Sequence, residues 1–334
     1  MRRHDRPSIP RRLAMALPLA GLAAIAASGG TSRAAENFPA REIRFINAFA
    51  PGGTSDLLGR ILADQLSKQL GQRVVVDNRT GGGGVVATQE LTRAAPDGHT
   101  ILLASMGIMT ITPQIQTVPY DVARDITPLA NAASVYNILV TGAHSEIRTW
   151  QDLVRLGRDP SRNMTCATVG AGTSQQLACV LFASLTGAQL EQVPYRGGAP
   201  AILDIVSGRV DVMFGNMPEF MGQLREGALK AVAYGAADAS PLLPEVPVIS
   251  RSGLPDFVIP NWFGVVGPGR MAPSLVERWN TEINRALADP DVQRRFVEAG
   301  LQRLGGTRED FERQIAADRT RWGRVIREHD IKAD

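Results

Sequence analysis

From Glu42 to Phe214 the chain alternates short runs rich in β-branched and aromatic residues with stretches of helical periodicity, and few architectures accept that rhythm. Glu42 to Phe49 reads as a strand, Asp56 to Leu70 as an amphipathic helix stopped by Gly71, and Val74 to Asp77 as the next strand. A helix from about Val86 to Ala94 and a strand at Thr100 to Ser105 follow, then a long extended stretch from about Leu129 to Thr141. A second set repeats the order: helix Trp150 to Leu156, strand Asn163 to Thr168, helix Ser174 to Leu185, strand Gln189 to Val193, helix Ala199 to Val206 and strand Val210 to Phe214. The expected fold class is α/β, with two layers, each a mostly parallel sheet covered by helices.

Beyond residue 272 the pattern changes. Leu275, Trp279, Ile283 and Leu287 recur every four residues, and Phe311, Ile315 and Trp322 repeat the spacing, so residues 272–328 are expected to be mainly amphipathic helices punctuated by Pro290 and Gly300.

The net charge of +3 is misleading about partners. Residues 1–34 hold Arg2, Arg3, Arg6, Arg11, Arg12 and Arg33 against the single acid Asp5, which leaves the remainder mildly acidic at −2. Only Lys68, Lys230 and Lys332 supply lysine, and no basic run exists for a phosphate backbone to track, so nucleic acid is not an expected partner. The basic start, the uncharged run Leu13 to Ala27 and the small residues after it form the three-part pattern of an export signal, with cleavage expected after Ala26 or Ala34. That run is too short for a spanning helix, so no stable membrane insertion is expected. Arg11 and Arg12 leave the general secretory and twin-arginine routes both open. In an oxidising compartment Cys166 and Cys179 can pair, or they can remain two small buried residues.

Signatures of catalysis are missing. His99, His144 and His329 form no HExxH, there is no GxSxG, and no acid cluster has metal-ligand spacing, so neither an enzyme nor a metal site is expected. Gly82, Gly84 and Ala87 have the spacing of a dinucleotide fingerprint, but four residues separate them from the strand and Asp97 sits in a turn, so a plain turn is the better reading and no cofactor is expected.

Two segments share a more informative design. Phe49-Ala50-Pro51-Gly52-Gly53-Thr54-Ser55-Asp56 and Thr168-Val169-Gly170-Ala171-Gly172-Thr173-Ser174-Gln175 each run from strand through a glycine-rich turn and a hydroxyl cap into a helix. A helix start with free N–H groups and a favourable dipole attracts carboxylate or phosphate. One in each α/β half suggests a clamp on a small anion.

The segments FPAREIRFINAFAPGGTSD (38–56), VVVDNRTGGGG (74–84), APDGHTILLAS (95–105), VPYRGGAPAILDIVSGRVDVMFGNMP (193–218) and WFGVVGPGRMAPSLVERWNTEINRAL (262–287) together resemble the solute receptors of tripartite tricarboxylate transporters, the Bug receptors. The resemblance implies a type 2 periplasmic-binding-protein fold, a Venus flytrap of two α/β lobes joined by extended crossover strands. Lobe 1 would be 37–137 plus 259–334, and lobe 2 138–258, after the 1–34 signal. It also implies a periplasmic, non-enzymatic role: binding a small carboxylate and delivering it to a two-component membrane permease. A sensor feeding a membrane signalling protein and a nucleotide-binding α/β enzyme are the alternatives.

Carried over by residue, the resemblance places Phe49, Ala50, Gly52, Gly53, Thr54, Ser55 and Asp56 in the first ligand loop, with Asp56 read as a loop organiser. Thr168, Gly170, Gly172, Thr173 and Ser174 form the second. Ser105 and Met106 end a strand at the cleft, Tyr195, Gly197 and Gly198 match a PYRGG turn, and Asn216 is in reach of ligand while Asp211 reads as structural. The departures are Asn47 and Ala48 before the first loop, Gly215 in place of a common aspartate, and SMGIM at 105–109, which leads to an expected apolar pocket end near Met106 and Met109.

Overall fold

The computed structural model describes residues 38–332, and the predicted export segment lies outside them. Two sheets organise the chain. The larger takes β1 (Ile43–Asn47), β2 (Val74–Asn78), β3 (Thr100–Ser105), β4 (Ile126–Val135), β10 (Trp262–Pro268) and β11 (Leu301–Arg303) in the order β11-β4-β10-β3-β1-β2. The smaller takes β5 (Asn137–Gly142), β6 (Met164–Thr168), β7 (Leu190–Pro194), β8 (Val212–Asn216) and β9 (Leu229–Tyr234) in the order β7-β6-β8-β5-β9.

The expectation of mostly parallel sheets needs correcting. β1 runs parallel to β2 and β3, and β6 parallel to β7 and β8, but every pair involving β4, β5, β9, β10 or β11 is antiparallel. The reason lies in the connections. A strand–helix–strand unit returns the chain in the same direction, whereas the extended segment 126–142 breaks at Tyr136 and sends β4 into one sheet and β5 into the other without a helix between. β10 then comes back from the smaller sheet to lie between β4 and β3.

Helices cover the faces. α1 (Thr54–Leu70), α2 (Val85–Thr92), α7 (Pro273–Ala288), α8 (Pro290–Ala299) and α9 (Arg308–Glu328) accompany the larger sheet; α3 (Trp150–Gly157), α4 (Ser174–Thr186), α5 (Gly198–Val206) and α6 (Met217–Arg225) the smaller. The four-residue spacing in α7 does what its pattern dictates: Leu275, Trp279, Ile283 and Leu287 are all buried with Phe45, Leu58, Leu62 and Ile101. Truncating one of these large core side chains to Ala costs on the order of 3–5 kcal/mol. Phe311, Ile315 and Trp322 of α9 are buried likewise, and Phe311 meets Trp262 edge to face at 5.2 Å. Phe182, Phe214 and Phe257 make an aromatic cluster under the smaller sheet, with centroids 5.3–5.5 Å apart.

Cys166 of β6 and Cys179 of α4 are joined as a disulfide with Cα atoms 6.5 Å apart, which fastens the helix to the strand it follows. Among the described residues no helix is long and apolar enough to cross a membrane, and no group of three or more His, Cys, Asp or Glu is arranged to hold a metal.

Candidate functional site

The parallel strands β1, β6 and β7 and the neighbouring β8 each deliver the chain from a strand end into a helix start, and these four starts surround one cavity of about 150 Å³. Ser105 at the end of β3, Asn261 before β10 and Phe263 within it complete the wall.

The first helix start is built by a charge. Gly53, not a hydroxyl, occupies the N-cap of α1 with extended backbone and no side-chain cap, so Thr54 and Ser55 are the first helical residues rather than the predicted caps. Gly52 turns the chain at φ 85° and donates its N–H to Asp56 Oδ2 at 3.0 Å. Asp56 also accepts from Arg60, twice at 3.0 Å, and from Asn78 at 3.1 Å, while Asn78 and Asn47 both donate to the carbonyl of Phe49. Burial alone would push the Asp56 carboxyl up; the hydrogen bonds from Arg60, Gly52 and Asn78 outweigh it and hold the group below the usual carboxylate range. Asp56 is therefore spent on the loop and does not face the cavity, as its reading as an organiser expected.

The second start, at α4, is built by neutral groups. Thr173 Oγ1 caps the helix by accepting from Gln176 N at 3.4 Å and donates to Gly170 O at 2.8 Å, while Gln176 Oε1 accepts from Gly172 N at 2.8 Å. At α5, Gly197 is an N-cap without any side-chain bond, which leaves that helix start open to the cavity.

Of the predicted site residues, the structure gathers Phe49, Ala50, Gly53, Thr54, Ser55, Ser105, Thr173, Ser174, Gly197, Gly198 and Asn216 around the cavity. Others stand elsewhere. Gly52 and Asp56 face each other inside the first loop. Thr168 is buried and uses its carbonyl to accept from Tyr195 N; Gly170 gives its carbonyl to Thr173. Tyr195 is turned away, its hydroxyl donating to Asp204 at 2.7 Å, and burial together with that carboxylate pushes the phenol up to about 12. Gly172, at φ 76°, lies against Thr112, which leaves no room for a Cβ. Met106 and Met109 are wholly buried in the core, so the apolar pocket end expected there does not exist; β3 ends at Ser105, which lines the cavity, and the backbone turns helical at Met106, whose side chain enters the core. The apolar wall is made instead by Phe49, Val169, Phe263, Ala199 and Pro200.

Three cavity-lining groups escaped the sequence reading. Arg196 lines the cavity from an exposed position and has no ion-pair partner among the described residues. Asn261 is buried and donates from Nδ2 to Asn216 Oδ1 at 2.8 Å. Glu219, in the first turn of α6, accepts at Oε1 from Thr54 Oγ1 at 3.0 Å and Asn216 Nδ2 at 3.1 Å, tying α1 to α6. Enclosure pushes its carboxyl above the usual range, and the bonds from Thr54 and Asn216 offset only part of that. A motif signal existed only for Arg196, in the middle of PYRGG.

The glycine run 82–84 is no nucleotide cradle. It forms one helical turn into α2, and the carbonyl of Ala171 fills the place a Cβ of Gly83 would take.

Residues 58–331 match the model of the tripartite tricarboxylate transporter family receptor. The chain belongs to this family. Its similarity to a UPF0065 protein from Pseudomonas sp. (strain P51) is 36% identity over 318 residues, covering 95% of both chains. Among solved structures it is similar to Rpa4515 of R. palustris with adipate, at 30% identity and a TM-score of 0.85, covering 88% of this chain and 99% of that one. MatC from Rhodopseudomonas palustris with bound malate has 27% identity and a TM-score of 0.81, covering 86% and 100%. The fold is that of these periplasmic binding proteins, and the family consists of solute-binding receptors that work in the periplasm, not of enzymes.

Proposed function

We propose that this receptor holds a small carboxylate between two lobes, residues 37–137 with 259–334 and residues 138–258, and hands it to a two-component membrane permease after export directed by residues 1–34 through the Sec or twin-arginine route. One observation carries the reading: the starts of α1, α4 and α5 converge on one cavity, two of them with no side-chain cap. Free N–H groups and three helix dipoles make that cavity favourable to an anion without any side-chain cation inside it. Arg196 at the rim adds a positive charge where solute would enter. The carboxylates bound by the two solved relatives, adipate and malate, support this choice of solute class. A cavity of about 150 Å³ matches one that holds benzene, so the solute body is about six to ten heavy atoms, packed against Phe49 and Phe263.

A thermal-shift screen of the purified protein against small mono-, di- and tricarboxylates tests this. A true solute at 100 times its Kd stabilises the fold by about 2.7 kcal/mol. Deletion of the genes for the proposed two-component permease should then abolish uptake of the same acid. Stabilisation by nucleotides and by no acid would overturn the reading.

A further inference from the structure

Just after Ser105, which lines the cavity, the chain enters a π-helical turn, Gly107–Ile111, and runs on into a short helix, Thr112–Ile115. This segment follows a strand of the larger sheet, and the loop that enters α4 from the smaller sheet is pressed onto it. Three close approaches make the seat. The carbonyl oxygen of Gly172 fills the place that a Cβ of Gly107 would take, with the Gly172 carbonyl carbon 3.4 Å and Thr173 Cα 3.5 Å from that position. The carbonyl of Ala171 does the same at Gly83, and a Cβ on Gly172 would stand 3.1 Å from Thr112 Cα. Gly83, Gly107, Thr112, Ala171 and Gly172 are all outside the cavity lining, whereas their neighbours Ser105, Thr173, Ser174 and Gln175 are part of it.

The loop is poorly able to yield to an added methyl. Gly172 N donates to Gln176 Oε1 at 2.8 Å, Thr173 Oγ1 donates to Gly170 O at 2.8 Å, and the disulfide ties α4 to β6. A side chain at position 107 therefore pushes back the start of α4 as a whole, by several tenths of an ångström, and groups that bind together must be held to within about 0.5 Å. Gly107 also permits a cleaner experiment than Gly83. Gly83 has φ 62°, so alanine there would strain its own turn, whereas Gly107 has helical backbone, to which alanine is better suited than glycine. The three nearest atoms that a methyl at 107 would meet all belong to Gly172 and Thr173.

We propose that Gly107 is a positioning residue for solute binding: its bare Cα lets the start of α4 close against the strand end that carries Ser105, a contact made when solute is held and released when it leaves. The inference rests on the carboxylate reading above and adds to it what sets the spacing of the two sides of the cavity.

The test is Gly107→Ala in the purified protein, titrated calorimetrically with the acid that the thermal-shift screen ranks first, beside thermal unfolding with no solute added. Affinity is expected to fall about tenfold or more, while the solute-free unfolding temperature stays within about 2 °C of wild type or rises. A solute-free unfolding temperature lowered by more than about 2 °C would make the contact part of the resting fold and overturn the positioning role. Affinity within about threefold of wild type overturns it as well. Hydrogen exchange on the wild-type protein needs no variant, so misfolding of Gly107→Ala leaves the question open to decision: the same acid should slow exchange of the amides at 106–112 and 170–173 by about tenfold, and no slowing there overturns the closing contact. If no acid binds the wild type at all, the receptor reading fails and takes the inference with it.

Discussion

The loops entering α1 and α4 are written in the same sequence grammar and are held in opposite ways. The first relies on an ion pair and leaves its hydroxyls for the cavity: Asp56 gathers Gly52, Arg60 and Asn78, and Thr54 is free to reach Glu219. The second consumes its own hydroxyl and amide, Thr173 and Gln176, and stands on a disulfide. Glycine differs too. Gly53 has an ordinary φ of −85° and nothing nearer than 3.8 Å to a Cβ, whereas Gly172 has φ 76° and Thr112 pressed against it. Similar glycine-hydroxyl strings thus put before the helix a glycine, Gly53, that tolerates a side chain in one loop and a glycine, Gly172, that forbids one in the other.

The sharpest way to separate the two loops is to cut the disulfide. Cys166→Ala with Cys179→Ala should lower unfolding free energy by about 3 kcal/mol, the value for a loop of this length, measured by denaturant titration. No change would mean that the bond does not support the second loop. Next comes Gly172→Ala, where left-handed strain of about 1–3 kcal/mol adds to the overlap with Thr112; solute affinity should fall on the order of 30-fold by titration calorimetry. Asp56→Asn should cost about 1–3 kcal/mol, since charge-assisted bonds become neutral ones. Its pH signature is specific. A carboxyl held below its ordinary pKa stabilises the fold above the unfolded value of about 3.9 and loses that contribution as pH falls through the depressed one, so the variant's stability should decline less steeply in acid. Gly53→Ala should leave affinity within about threefold, because its geometry suits any residue; a collapse of binding there would erase the asymmetry.

Much of this was legible in the residues. Strand, glycine turn and helix start leave a local signature, and both loops fell where that signature stood. The failures have physical causes. Strand direction depends on how a connection crosses between sheets, and the alternation pattern cannot distinguish a helix-mediated return from the direct passage at Tyr136. Met106 was misplaced because the strand ends one residue earlier, at Ser105, and the backbone turns helical at once, which sends the Met106 side chain into the core. Glu219 carries no signal at all: in MPEF it reads as a solvated acid in the first turn of a helix, and only the approach of Thr54, 165 positions away, encloses it.

The contacts of Gly83 with the Ala171 carbonyl and of Gly107 with the Gly172 carbonyl are backbone against backbone. Such a fit is the same whatever cargo sits beside it, because it contains no side chain to exchange. On the proposed reading, preference is stored separately, in cavity-wall side chains such as Phe49, Arg196, Glu219, Asn261 and Phe263. A lineage can therefore rewrite what the receptor carries through a handful of wall residues while the way its loops meet is inherited unchanged.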